Sequence, residues 1–136
     1  MSRFLFLIIG LLLFGCSKEV NNNKALGGKW APVDFSLFDY NGLKTKPPCS
    51  GTVQFTSDGK KSTTGTYDIN LLFDYNGSPH NFIEKGTYRI ENVNKIQLLS
   101  ETAEQTEATL VYSTKDDLIL DVPNKNYFGY YIVLKK

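Results

Sequence analysis

Residue types that run acid–base, nucleophilic or metal chemistry are thin in this chain. It has one histidine, His80, and two cysteines, Cys16 and Cys49. His80 follows Pro79 in a turn-like segment, with no cysteine beside it and no carboxylate at a spacing that would orient it as a base. It reads as a solvated loop histidine. Cys49 follows Pro47-Pro48 and lacks the nearby Cys or His ligands of a zinc site, so a small, partly buried side chain suits it better than a metal-bound or intermolecularly paired thiol. Asp116-Asp117 and the series Glu101, Glu104, Glu107 read as solvated polar surface. No Gly-rich phosphate loop and no H-E-x-x-H occurs. The sequence therefore points away from an enzyme, and no metal or cofactor is expected.

What the chain does hold in quantity is aromatic surface, with nine Phe, eight Tyr and one Trp. Where these residues sit is set by a two-residue period. Val53 and Phe55 alternate with polar neighbours, as do Tyr67, Ile69, Leu71 and Phe73. The pattern recurs in Tyr88 and Ile90, in Ile96 and Leu98, in Ala108, Leu110 and Tyr112, in Leu118, Leu120 and Val122, and in Phe128, Tyr130, Ile132 and Leu134. Alternation of this kind marks strands with one wet and one buried face. With Trp30 to Leu37 as the first strand and another over Asn81 to Ile90, eight strands are expected. Helix is limited to a single turn around Lys24 to Gly28. Turn signals punctuate the runs: Asn41-Gly42, Asp58-Gly59, Asn76-Gly77, Asn92 to Asn94, Asp116-Asp117 and Pro123-Asn124. Short connections make sequence neighbours pair antiparallel, and eight such strands close most simply into an up-and-down barrel over residues 27–136.

On this reading Trp30, Phe55, Tyr67, Phe73, Tyr88, Tyr112, Phe128 and Tyr130 face the barrel interior and are the candidate ligand-binding residues. Two outcomes stay open. The rings can meet and fill a narrow lumen as plain core, or they can line a gap suited to an apolar molecule with a polar end. In the filled case the barrel is a scaffold for protein or glycan contacts through Phe38, Tyr40, Phe73 and Tyr75. Two short repeats, Phe38-Asp39-Tyr40-Asn41-Gly42 with Phe73 to Gly77, and Gly65-Thr66-Tyr67 with Gly86-Thr87-Tyr88, recur at unequal spacing. Turn chemistry explains the first better than calcium binding, because further carboxylates are missing.

The start of the chain is of another kind. Met1 to Arg3 is a short positive lead, and Phe4 to Phe14 is apolar with one Gly. At ~1.5 Å per residue such a run covers only about half of a bilayer's hydrocarbon core, which fits a secretory signal and not a spanning helix. Leu13-Phe14-Gly15-Cys16 resembles the bacterial lipobox, although Phe14 is bulkier than the residue usual there. The resemblance implies cleavage after Gly15, lipid on Cys16 and firm membrane attachment through two or more acyl chains. Residues 1–15 are then the signal peptide and 16–26 the lipidated cysteine with a flexible tether. Ser17 after the cysteine favours the outer membrane. With Cys16 acylated, Cys49 has no intramolecular partner, so a disulfide framework is excluded.

Gly28-Lys29-Trp30 resembles the G-x-W opening of lipocalins and of the lipocalin-like lipoproteins of Bacteroidetes-type bacteria. Phe55 to Gly59, Gly86 to Ile90 with Ile96-Gln97-Leu98, Asp117 to Leu120 and Tyr130 to Leu134 extend the likeness over nearly the whole mature chain. The resemblance implies a barrel whose Trp plugs the closed end beneath a late basic residue, for which Lys135 is the nearest candidate. It also implies a ligand entrance gated by the segment from Leu37 to Ser50. Pro32 departs from the pattern, because it donates no ladder hydrogen bond and should sit at a bulge or an open seam.

Charge narrows the partners. Fifteen Lys and Arg stand against fourteen Asp and Glu, and loss of Arg3 with the signal balances them. Nucleic acid binding needs a net basic face, which is missing here. The sequence thus leads to a monomeric, membrane-anchored binder of a small hydrophobic ligand, or to an interaction module with a filled barrel.

Overall fold

The computed structural model describes residues 23–102, 104–123 and 128–136. Each alternating run becomes a strand: β1 (Gly28–Asp39), β2 (Lys44–Thr45), β3 (Cys49–Ser57), β4 (Thr64–Tyr75), β5 (Ser78–Asn92), β6 (Lys95–Ser100), β7 (Gln105–Ser113), β8 (Asp117–Val122) and β9 (Phe128–Lys135). A helical turn over 23–26 precedes β1, with Gly27 N–H donating to the Asn23 carbonyl at 3.2 Å. The signal segment, the lipobox with Cys16 and the tether up to residue 22 lie outside the described residues. Residues 23–26, assigned above to the tether, are instead packed, since Asn23 and Leu26 are buried.

From β3 to β9 each strand pairs antiparallel with the next, and β1 pairs with both β3 and β9. The sheet therefore closes on itself. Eight strands, β1 and β3 to β9, form the wall of the antiparallel up-and-down barrel, and β2 is a short ribbon folded back on Leu37 and Phe38. Turn chemistry sets this order: Asn76 (φ 52°) and Gly77 (φ 78°) supply the paired positive φ of a tight hairpin between β4 and β5.

Two of the three register slips bear on the direction of the candidate side chains. In β1, residues Gly28 to Trp30 face β3, whereas Ala31 to Asp39 face β9, and the register slips between Pro32 and Asp34. The proline falls where the strand changes partner, as its missing N–H requires. In β7 the register slips between Leu110 and Tyr112. Val111 is the extra residue, so the alternation that buries Ala108 and Leu110 resumes at Ser113. Tyr112 is turned outward opposite Ile119 and is 51% exposed. It is not a lumen residue, because a count by two runs straight through a bulge that the strand does not.

The Gly-Thr-Tyr repeat has a structural meaning. Its copies lie across from each other on β4 and β5, with Gly65 opposite Tyr88, Thr66 opposite Thr87 and Tyr67 opposite Gly86. A Cβ on Gly65 would fall 2.1 Å from the Thr56 carbonyl oxygen and 2.6 Å from the Tyr88 hydroxyl, so only glycine lets the tyrosine lie across the strand.

Candidate functional site

The two ends of the barrel interior are built differently. At the end nearest the N-terminal turn, Trp30 donates its indole N–H to the Leu26 carbonyl at 2.8 Å. Lys136 covers the same ring, its Nζ 4.5 Å from the ring centroid and 3.5 Å from the Ala25 carbonyl oxygen. The basic residue over the tryptophan is thus Lys136 and not Lys135. Leu134 faces inward, so Lys135 points outward and pairs with Asp117 at 3.6 Å. Asn23 donates from Nδ2 to Ser57 Oγ at 2.8 Å and to the Ser62 carbonyl at 2.7 Å, and its Oδ1 accepts from the Tyr88 hydroxyl. Phe55 packs edge-on against Tyr88, centroids 5.4 Å apart. Burial, with the nearby Asp58 charge adding to it, pushes the Tyr88 phenol up to about 12. Trp30, Phe55 and Tyr88 are therefore a sealed floor, with every polar tip satisfied inside the protein.

At the opposite end the inner face carries Phe35, Phe73, Phe128 and Tyr130 together with Tyr75, His80 and Phe82. Phe35 and Phe73 meet at 4.9 Å, Phe73 and Phe128 at 5.5 Å, and Phe82 lies 5.6 Å from Phe128 and 5.9 Å from Tyr130. Although they face inward, Cys49, Tyr75, Phe82 and Phe128 are only partly buried. The cause is the uneven height of the wall. The pairing of β5 with β4 covers Ser78 to Arg89, whereas its pairing with β6 covers only Gly86 to Asn92. Among the described residues no strand continues the wall on the β6 side beyond Gly86, and the inner faces of His80, Phe82 and Glu84 look over that gap.

A cleft of about 280 Å³ adjoins this mouth between the β1–β2 and β4–β5 turns, lined by Leu37, Asp39, Leu43, Thr45, Pro47 and the 74–77 turn. Both copies of the Phe-Asp-Tyr-Asn-Gly repeat are present there. Asp39 Oδ1 accepts from the N–H groups of Asn41 and Leu43, which is turn chemistry. Among the described residues no group of three His, Cys, Asp or Glu could hold a metal. The segment from Leu37 to Ser50 does border the mouth, and part of it is ordered as β2 and the start of β3.

The side chain that gives this end its chemistry is Glu84. It sits on the inner face of β5 between Phe82 and Gly86, half-buried, and accepts a hydrogen bond from the Tyr67 hydroxyl at 2.7 Å. Burial raises the Tyr67 phenol far above the usual tyrosine range, and the hydrogen bond and charge of Glu84 push the same way. Tyr130 is raised by burial, then by the charges of Glu84 and Cys49. Cys49 is a free thiol pushed up to about 11 by burial, which keeps it protonated and inert as a nucleophile near neutral pH.

Of the candidate residues, then, Tyr67, Phe73, Phe128 and Tyr130 gather toward the mouth, Trp30, Phe55 and Tyr88 form the floor, and Tyr112 is outside. Glu84, Phe82 and His80 were not among them. Counting back by two from Tyr88 passes through Gly86, Glu84, Phe82 and His80, so the signal was present. His80 is no solvated loop residue: it lies on β5, its ring 5.4 Å from Phe73 and 5.8 Å from Phe128. The proposed exposed patch is also broken up, since Phe73 is buried, Phe38 and Tyr75 are half-buried, and of the four only Tyr40 is exposed.

No protein-family model matches the chain, and a comparison with curated proteins finds no match. Solved structures do match in fold. A redesigned β-barrel, mFAP1, bound to DFHBI, has a TM-score of 0.53 at 11% identity, covering 85% of this chain and 98% of that one. A de novo designed fluorescence-activating β-barrel has a TM-score of 0.51 at 14% identity, covering 84% and 95%. The bovine lipocalin allergen Bos d 2 gives 0.46 at 8% identity, covering 85% and 75%. At these identities the likeness to the two designed barrels is one of fold, a closed antiparallel barrel.

Proposed function

We propose that this chain is a non-enzymatic envelope lipoprotein whose lipocalin-like barrel holds a small hydrophobic ligand at its open end. The observation that carries the reading is the contrast within one interior. Rings at the floor are sealed, while inward-facing Tyr75, Phe82 and Phe128 at the other end keep part of their surface uncovered. Aromatic walls with a few convergent polar groups are what small-molecule sites are made of. The redesigned barrel bound to DFHBI lends support, as a barrel of similar length that carries a bound molecule.

The lipobox-like Leu13 to Cys16 supports attachment by lipid, with Ser17 favouring the outer membrane. The anchor would join the barrel at the floor, because Asn23 and Leu26 are built into it. Six residues from Ser17 to Asn22 span at most about 20 Å. This arrangement turns the mouth away from the bilayer, where a monomeric binder can meet ligands in the aqueous phase.

The test is native mass spectrometry of the mature chain extracted from its host in mild detergent. The reading requires an N-terminal triacyl or diacyl mass on Cys16 and a retained small molecule lost on denaturation. A chain cleaved elsewhere with a free Cys16 removes the anchor, and an empty barrel that also takes up no aromatic probe removes the binding role.

A further inference from the structure

We infer that the ligand carries a positive charge, a protonated amine joined to an apolar or aromatic body, and that Glu84 is the group that recognises it. The inference rests on the binding role proposed above and names its chemical class. Glu84 is a carboxylate on the inner face of a barrel whose other inner residues are almost all apolar or aromatic. A half-buried carboxylate there gives up part of its hydration. One partner is visible, the Tyr67 hydroxyl on Oε1 at 2.7 Å. A phenol supplies a hydrogen bond and no charge.

The five ion pairs among the described residues, Lys46 with Asp34, Lys85 with Asp68, Arg89 with Glu91, Lys95 with Glu107 and Lys135 with Asp117, all lie elsewhere. Lys85 follows Glu84 directly and points to the opposite face of the strand, where Asp68 holds it at 3.0 Å. His80 is four positions along the same face, about 13 Å by strand rise, beyond Phe82, and its contacts are with rings. Near neutral pH the charge that acts on both neighbouring phenols, Tyr67 and Tyr130, is that of Glu84, because Cys49 and Tyr130 are held protonated by burial. Among the described residues, then, no cation pairs with Glu84.

Around Glu84 stand Phe82 on the same strand face and Tyr130, whose ring lies 5.9 Å from Phe82. Faces of aromatic rings attract cations, and a carboxylate ringed by them selects an ammonium over a neutral or anionic head group. An amine entering from the low side of the wall would give Glu84 its missing charge while its apolar body rests on Phe82 and Phe128. A free fatty acid, by contrast, would bring a second carboxylate against the first.

Isothermal calorimetry on the full chain in detergent tests this with three probes that share a naphthalene body: 2-(1-naphthyl)ethylamine, 1-naphthaleneethanol and 1-naphthaleneacetate. The amine should bind about tenfold more tightly than the alcohol, and the acetate more weakly than either. Glu84→Gln should erase the preference for the amine while leaving the alcohol's affinity within about twofold, which also shows that the variant is folded. Tyr67→Phe should keep the amine preference, because the charge remains. Equal binding of amine and alcohol, or a preference that survives in Glu84→Gln, overturns the amine assignment and leaves the hydrophobic pocket standing. Failure of all three probes overturns both.

Discussion

The two copies of Gly-Thr-Tyr make a natural pair to compare. Tyr88 and Tyr67 sit on neighbouring strands, each opposite the other copy's glycine, and both are raised above the ordinary tyrosine range mainly by burial. Their hydroxyls take partners of different kinds. Tyr88 donates to Asn23, a neutral amide whose other bonds are all made within the protein. Tyr67 donates to Glu84, a carboxylate with charge to spare. The same local motif therefore closes one end and leaves the other chemically unsatisfied. On the proposed reading stability is concentrated at the floor and recognition at the mouth, and single substitutions should separate the two.

The largest effect is expected at the floor. Trp30→Ala removes a fully buried ring together with its bond to Leu26 and its stacking under Lys136, and should cost about 3–5 kcal/mol in urea unfolding. Phe82→Ala at the mouth, where the ring is only half-buried, should cost about 1–2 kcal/mol while weakening binding of an aromatic probe. Equal losses for both would erase the distinction between the ends.

Next is the amide that ties the N-terminal turn to the floor. Asn23→Ala leaves the Tyr88 hydroxyl and the Ser62 carbonyl without their partner and should lower stability by about 1–3 kcal/mol, read by thermal melts. Binding at the mouth should be unaffected. A loss of affinity would mean that the ends are coupled.

The smallest effect is in the response to alkali. Cys49 at about 11 and Tyr88 at about 12 lie above their ordinary values of 9.0 and 10.0. A group whose pKa is raised by folding contributes stability below its unfolded value that is lost as pH rises toward its folded one. Melting temperature should be level from pH 7 to about 9 and fall from there to pH 12. Cys49→Ala should flatten the first part of the fall, and a curve identical to that of the parent would place the thiol in water.

Strand count, strand order and the closing of the barrel were legible because alternation and Asn-Gly turns both report backbone geometry that the sequence carries locally. Where alternation could be counted without interruption it found the interior, as at Tyr67, Phe73, Phe128 and Tyr130. It failed at Tyr112, where Val111 bulges out in the pairing with β8. Lys135 came from the resemblance, whereas the count from Leu134 reaches Lys136, the residue that covers Trp30. Glu84 was hidden by chemistry rather than by geometry. An acidic residue looks like a surface residue even where a count by two from Tyr88 puts it on the inner face, and whether that position opens to solvent depends on which residues of β5 lie beyond the end of β6. The unequal height of the wall is a property of pairing between distant segments, and no short window of residues records it.

The central claim is that ligand enters the end bearing Glu84 and not the end bearing Trp30. Amide chemical-shift mapping of the full chain in micelles, titrated with 1-naphthaleneethanol, tests it most directly. The account predicts shifts confined to His80, Phe82, Glu84, Phe128, Tyr130 and their strand neighbours, with Trp30, Phe55 and Tyr88 unmoved. Shifts centred on the floor, or spread over the outer face around Leu99 and Tyr112, would contradict it.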